Sequence, residues 1–228
     1  MSAIDLHNET YFPVEASCPS EIKMALDPSK KLPELAWFLI VDIIREEPVI
    51  ETDYIEVYAA RFLVMDKKGV EFSVAFVLNS AEASRFPIEK LHVGVSLILK
   101  DAVMTTLVDN SIGVIMRGVR KIKIVPCTVK YLLKTNDRVH NARGIENGKH
   151  LCFACDKECE PYNKDAGRCD GCTFFYFCSK MCNYIVHNYK WHGLECTFLQ
   201  DDDLAALFSG NWDDIHSFAN ICLIQKRH

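Results

Sequence analysis

Eight residues in the C-terminal third have the types and spacing for metal chemistry. Cys152 and Cys155 are separated by two residues, as are Cys169 and Cys172. Cys178 and Cys182 are separated by three, as are His192 and Cys196. A CxxC turn presents two thiolates to one ion, and a three-residue gap places both donors on one helix face. Four pairs supply eight donors, enough for two tetrahedral zinc ions. Ser179 can cap a helix that begins after Cys178, where the partial positive charge of the helix start favours thiolates. Four such pairs argue against inert buried cysteines. Cys159 lies outside the pairs and reads as a bystander. His187 competes with His192, but the spacing to Cys196 favours His192. His150 reads as a solvated connector residue. Spacing leaves the connectivity open: consecutive pairs could share an ion, or the pairs could interleave.

The phrases Phe177-Cys178-Ser179-Lys180-Met181-Cys182 and Tyr189-Lys190-Trp191-His192-Gly193-Leu194-Glu195-Cys196 resemble the two signature phrases of MYND-type zinc fingers. The resemblance covers Cys152–Cys196. The stretch from Cys182 to His192 is longer than usual in that family, Asn183 stands where Gln is common, and Tyr189 holds the usual Trp place with Trp191 displaced. The resemblance implies a cross-brace, with Cys152, Cys155, Cys178 and Cys182 on one zinc and Cys169, Cys172, His192 and Cys196 on the other. It also implies recognition of short proline-containing peptides from a partner protein. Tyr184, Tyr189 and Trp191 are the aromatic candidates for that surface, against the alternative that they pack on the zinc sites.

Eight donors in two closed sites leave no open position for a catalytic water. The chain has no HExxH, no deaminase-type phrase, no GxSxG, no P-loop and no GxGxxG. MYND fingers also occur in SET-domain lysine methyltransferases, but the Asn-His-Ser phrase is missing. The expectation is a non-enzymatic protein. Residues 151–228 hold 7 Lys+Arg against 11 Asp+Glu. Zinc-bound thiolates make this module more negative still, so it should repel phosphate.

The elements that carry these residues divide the chain. Residues 1–31 form a polar lead-in with Pro13, Pro19 and Pro28, expected to be peripheral or loosely ordered. Residues 32–126 hold five apolar strand runs. They start at Trp37, Tyr58, Phe72, Ser96 and Val114, with a hairpin signal at Asp66-Lys67-Lys68-Gly69, a short helix between the third and fourth, and a bulge expected at Gly118 in the fifth. This pattern resembles the OB-fold, a small Greek-key barrel. Residues 127–149, with the breakers Asn136, Asp137, Asn141, Gly144, Asn147 and Gly148, read as a basic connector, 150–197 as the finger and 198–228 as a helical tail. In the tail, Asp201-Asp202-Asp203 opens a first helix and Trp212–Gln225 forms a second. The fold class is therefore α+β: a small barrel plus a zinc-stabilised finger with short helices.

OB-folds often bind single-stranded nucleic acid. Arg117 to Arg143 contains eight basic residues and one acidic, Asp137. Arg120 and Lys123 on the fifth strand are the candidates for that alternative reading.

Composition bounds the remainder. The chain has 228 residues, 49% hydrophobic and 25% charged, with net charge −5, which excludes a disordered or low-complexity protein. The longest apolar run, Leu35 to Val41, is ended by Asp42, too short to cross a membrane. Eleven cysteines without a secretory pattern point to an intracellular, zinc-binding protein with reduced thiols. A protein or peptide partner is expected, and no membrane.

Overall fold

The structure, a computed structural model, describes residues 5–27, 29, 31–49, 58–143, 150–159, 166–189, 192–210 and 218. Its helices are α1 (Glu21–Leu26), α2 (Ser80–Ala83), α3 (Val129–Arg143), α4 (Lys180–Tyr189), α5 (His192–Leu199) and α6 (Asp202–Ser209). Seven strands form one mixed sheet: β1 (Phe38–Glu47), β2 (Tyr58–Asp66), β3 (Glu71–Val77), β4 (Ser96–Lys100), β5 (Met104–Thr106), β6 (Ile112–Arg117) and β7 (Ile122–Val125). Two small hairpins follow: β8 (His150–Leu151) with β9 (Glu158–Cys159), and β10 (Gly167–Arg168) with β11 (Tyr176–Phe177).

The chain divides into two compact units. One is Leu6–Leu132 with His216–Leu223, and the other is centred on Leu133–Ile215. The boundary falls inside α3.

In the first unit the strand order is β5-β6-β3-β2-β1-β4-β7. All pairs are antiparallel except β3 with β6, which is parallel. The expected fourth and fifth strands are each split. Asp101, at φ 53°, interrupts the fourth, and Gly118, at φ 88°, interrupts the fifth. Both are left-handed conformations that a regular strand cannot hold. The observed fold is therefore α+β with a seven-stranded mixed sheet, not five unbroken strands.

Leu39, Val41 and Ile43 alternate along β1 and meet Phe62, Val74, Leu97 and Met116 in one apolar core. That is the period-two signature of a strand face. The other face of β1 is buried too: Phe38 packs on Phe12 and on Phe218, with ring centroids 6.0 Å and 6.1 Å apart. The N-terminal stretch, expected to be peripheral, thus supplies the buried residues Leu6, Phe12 and Val14. Lys67 ties it down by donating to the carbonyls of Leu6 and Phe12.

The hairpin between β2 and β3 forms as expected. Gly69 takes φ 85°, and the Asp66 carboxylate accepts from the amides of Lys68 and Val70. Asp42, the residue that ends the apolar run, accepts from the Val129 amide and the Ser96 hydroxyl. It thereby fixes the start of α3 in the stretch read as a connector. Among the described residues no helix is long and apolar enough to cross a membrane.

Candidate metal centre

The two hairpins of the second unit are built alike. Cys152 and Cys155 occupy the turn between β8 and β9, and Cys169 and Cys172 the turn between β10 and β11. In each turn the amide after the second cysteine donates to the carbonyl of the first: Asp156 to Cys152 at 2.8 Å, Thr173 to Cys169 at 2.9 Å. Asp156 and Thr173 both adopt positive φ, 57° and 61°. This tight geometry swings both thiols of each pair to the same side. The Phe153 amide joins the hairpins by donating to the Tyr176 carbonyl at 2.8 Å.

The remaining donors come from helices. The Ser179 hydroxyl accepts from the Cys182 amide, capping α4 as its position suggested. Cys178 stands just before that cap and Cys182 in the first turn. His187 lies further along α4, while His192 and Cys196 lie on one face of α5.

These elements gather the donors into two clusters. Cys152, Cys155, Cys178 and Cys182 form the first, and Cys169, His187, His192 and Cys196 the second; within each, all donor atoms lie within 4.8 Å of one another. In the first, Cys155–Cys178, Cys178–Cys182 and Cys182–Cys155 are separated by 3.7, 3.6 and 3.9 Å. A tetrahedron with Zn–S bonds of about 2.3 Å has edges of about 3.8 Å. In the second, Cys169 lies 3.6 Å from Cys196 and 3.3 Å from His192 Nε2. Cys172 borders the second cluster, 3.9 Å from His192 Nε2. The chain thus carries two candidate metal sites whose spacing and soft thiolate donors suit zinc. The first pair joins the third, and Cys169 of the second pair joins the fourth; His187, read as a competitor of His192, lies in this cluster beside it, in the place expected for Cys172.

The surroundings act unequally on these thiols: Cys155, Cys172 and Cys178 are pushed up, whereas Cys152 and Cys169 are brought down. Burial resists ionisation of Cys152, yet backbone amides of Cys178, Ala154 and Cys155 donate to its sulfur and bring it down to about 7. Cys169 is held far below the usual thiol range by the thiols of Cys172 and Cys196. Cys159, outside the pairs, is buried beside the first cluster. Burial, then the neighbouring thiolates of Cys152, Cys155 and Cys182, push it up to about 11. It lies outside both donor clusters.

His192 is enclosed by Phe153, Phe175 and Phe177, at centroid distances of 5.7, 5.0 and 5.9 Å. With Nε2 toward the thiols, its Nδ1 faces Glu195 Oε2 at 3.7 Å. Glu195 is only 1% exposed and is ion-paired with Arg138 of α3. A carboxylate that accepts a hydrogen bond from a ligand histidine fixes its ring orientation; Glu195 stands in that position, at 3.7 Å without making the bond. Sequence reasoning missed Glu195 and Arg138, because only the fold brings α3 to this carboxylate. It missed Gly171 as well. A Cβ there would lie 2.6 Å from Cys196 Sγ. His150, expected to be solvated, is instead stacked on Tyr176 at 3.4 Å.

Of the aromatic candidates, Tyr184 is exposed, at 57%. Met181, at 65%, precedes Tyr184 by three residues and Ile185 by four, the spacings that place it beside each of them on α4. The Tyr189 side chain and all of Trp191 lie outside the described residues. The basic candidates separate. Arg120 is exposed, whereas Lys123 is fully buried and therefore unavailable to a phosphate backbone. No family model matches the chain, and no curated protein matches it either.

Proposed function

We propose that this chain is an adaptor, with a MYND-type finger that binds a short proline-containing peptide of a partner protein. The observation that carries the reading is the interleaving of the two clusters, the cross-brace that the sequence resemblance implies. Protein donors fill both clusters, so zinc here serves as a scaffold and the role is non-enzymatic. When bound, the two ions would supply folding free energy, on the order of 10 kcal/mol per site. Cys152, Cys155, Cys178 and Cys182 would hold one; Cys169, His192 and Cys196, with a fourth donor, would hold the other.

The recognition surface is the outer face of α4. Cys182 and the buried Val186 turn inward, leaving Met181, Tyr184 and Ile185 in solvent. Aromatic and Met side chains of this kind are typical interface anchors.

The first unit we infer to be an OB-like barrel. Supporting this, β4 and β5 are separated only by Asp101, Ala102 and Val103, and β6 and β7 only by residues 118–121. Counted as one broken strand each, they close the order into a ring, since β4 pairs β1 and β5 pairs β6. Single-strand binding by that unit is the second reading. The burial of Lys123 and the 3.2 Å ion pair of Lys121 with Asp101 weigh against it.

The test is selection of the zinc-loaded chain against a library of proline-containing peptides, with a single-stranded oligonucleotide as the competing probe. Enrichment of peptides, lost on Tyr184→Ala or Met181→Ser and kept on Arg120→Glu, is the expected result. Oligonucleotide binding lost on Arg120→Glu, without peptide enrichment, would transfer the function to the first unit.

A further inference from the structure

Five donors, not four, surround the second metal position. Cys169, His192 and Cys196 are common to two overlapping quartets. His187 completes one: its Nε2 is 3.4 Å from Cys169 Sγ, within the cluster whose donors all lie inside 4.8 Å. Cys172 completes the other: its Sγ is 3.9 Å from His192 Nε2, beside the thiols of Cys169 and Cys196. The two completing residues come from different elements, Cys172 from the turn after β10 and His187 from α4. The His187 and His192 rings are 4.6 Å apart and inclined at 76°, so both nitrogens converge without stacking.

Zinc has no geometric preference from d-electrons, and both Cys3His and Cys2His2 sets hold it in structural sites. Three thiolates with two imidazoles would exceed the four-coordinate shell of a structural site. We propose that the second zinc is held by three fixed donors and by a fourth that exchanges between Cys172 and His187. This rests on the reading of the second cluster as a zinc site. In the exchange one Zn–S bond breaks, one Zn–N bond forms, and the released Cys172 thiolate takes a proton from solvent. No electrons are transferred. The site changes by one unit of charge, and the chain gains a free thiol without losing its metal. Because α4 also carries Cys182, the same helix would then touch both ions.

Zinc content of the full chain by native mass spectrometry tests the proposal. The unsubstituted chain should carry two ions. Cys172→Ser and His187→Ala should each keep two, and the double variant should keep one. A drop to one in Cys172→Ser, or retention of two in the double variant, would overturn the shared-donor proposal alone. A single ion in the unsubstituted chain would overturn the two-site reading beneath it. A second measurement does not depend on Cys172→Ser folding. In the cadmium-substituted chain, the second-site cadmium resonance should lie between the positions for Cys3His and Cys2His2 sets. It should move to the Cys3His position on His187→Ala, and an unmoved resonance would overturn the proposal.

Discussion

Gly171 shows how strictly one residue can be constrained by a candidate metal site. An added Cβ would lie 2.6 Å from Cys196 Sγ and 2.7 Å from Gln200 Nε2. Gln200 can swing aside, but a sulfur fixed on an ion cannot. Gly171→Ala should weaken the second zinc about tenfold to a hundredfold, roughly 1.4–2.7 kcal/mol, and leave the first unchanged. Competition with a chromophoric chelator would read the two affinities separately; equal loss at both sites would contradict the placement of Gly171. Glu195 and Arg138 act at the same scale, behind His192. The donor pairs were legible in the sequence because a tetrahedral ion imposes short, local spacing. Gly171, Glu195 and Arg138 were not, because their roles come from residues that only the fold brings near. Lys123 reads as one of several basic residues on a strand, and nothing local reveals that its side of β7 is covered.

Among the elements, α4 and α3 behave differently from the sequence's point of view. The start of α4 is set by Ser179, a residue type with a strong capping preference, and its two faces follow from the helical period. Its outer face carries a prediction. Tyr184→Ala should weaken a selected peptide by roughly 1–3 kcal/mol without changing zinc content, measured by calorimetry and mass spectrometry. Loss of zinc alongside affinity would make Tyr184 a packing residue instead. The helix α3 was hidden by Asn136, Asn141 and Gly144, which read as breakers. Asn136 is in fact buried in the helix, and the first α3 amide is satisfied by Asp42 from a distant strand. Asp42→Ala removes that acceptor and the Ser96 partner together. It should lower stability of the first unit by about 1–3 kcal/mol in denaturant unfolding. The β-runs were legible from alternation and the irregularity at Gly118 from the glycine itself, but the break at Asp101 was not, since a left-handed non-glycine residue inside a strand leaves no periodic trace.

For the whole molecule, the division into two units separates what zinc supports from what apolar burial supports. All candidate ligands lie within Leu133–Ile215, and the large apolar cluster lies within Leu6–Leu132. Chelation should therefore unfold the finger and leave the β-sheet circular dichroism in place. Loss of both together would mean a shared core. With zinc removed, acid should act on the first unit through Asp109. The Ser111 hydroxyl and the Arg61 guanidinium, against the opposing effect of burial, hold its carboxyl down at about 2. The ordinary unfolded value is about 3.9. A depressed carboxyl stabilises the fold above the unfolded value, and that contribution is lost as pH falls from about 4 toward 2. Discounted for the exposure of Asp109, it amounts to about 1 kcal/mol. Asp109→Asn should flatten the stability profile over that window, and an unchanged profile would remove Arg61–Asp109 from the account. The interleaved pairing is the claim on which both the finger and the adaptor reading stand, and the double substitution Cys152→Ser with Cys178→Ser tests it most directly. Both residues belong to one cluster, so native mass spectrometry of the full chain should find one zinc still bound. A chain that binds none would mean that consecutive pairs share each ion, contradicting the cross-brace.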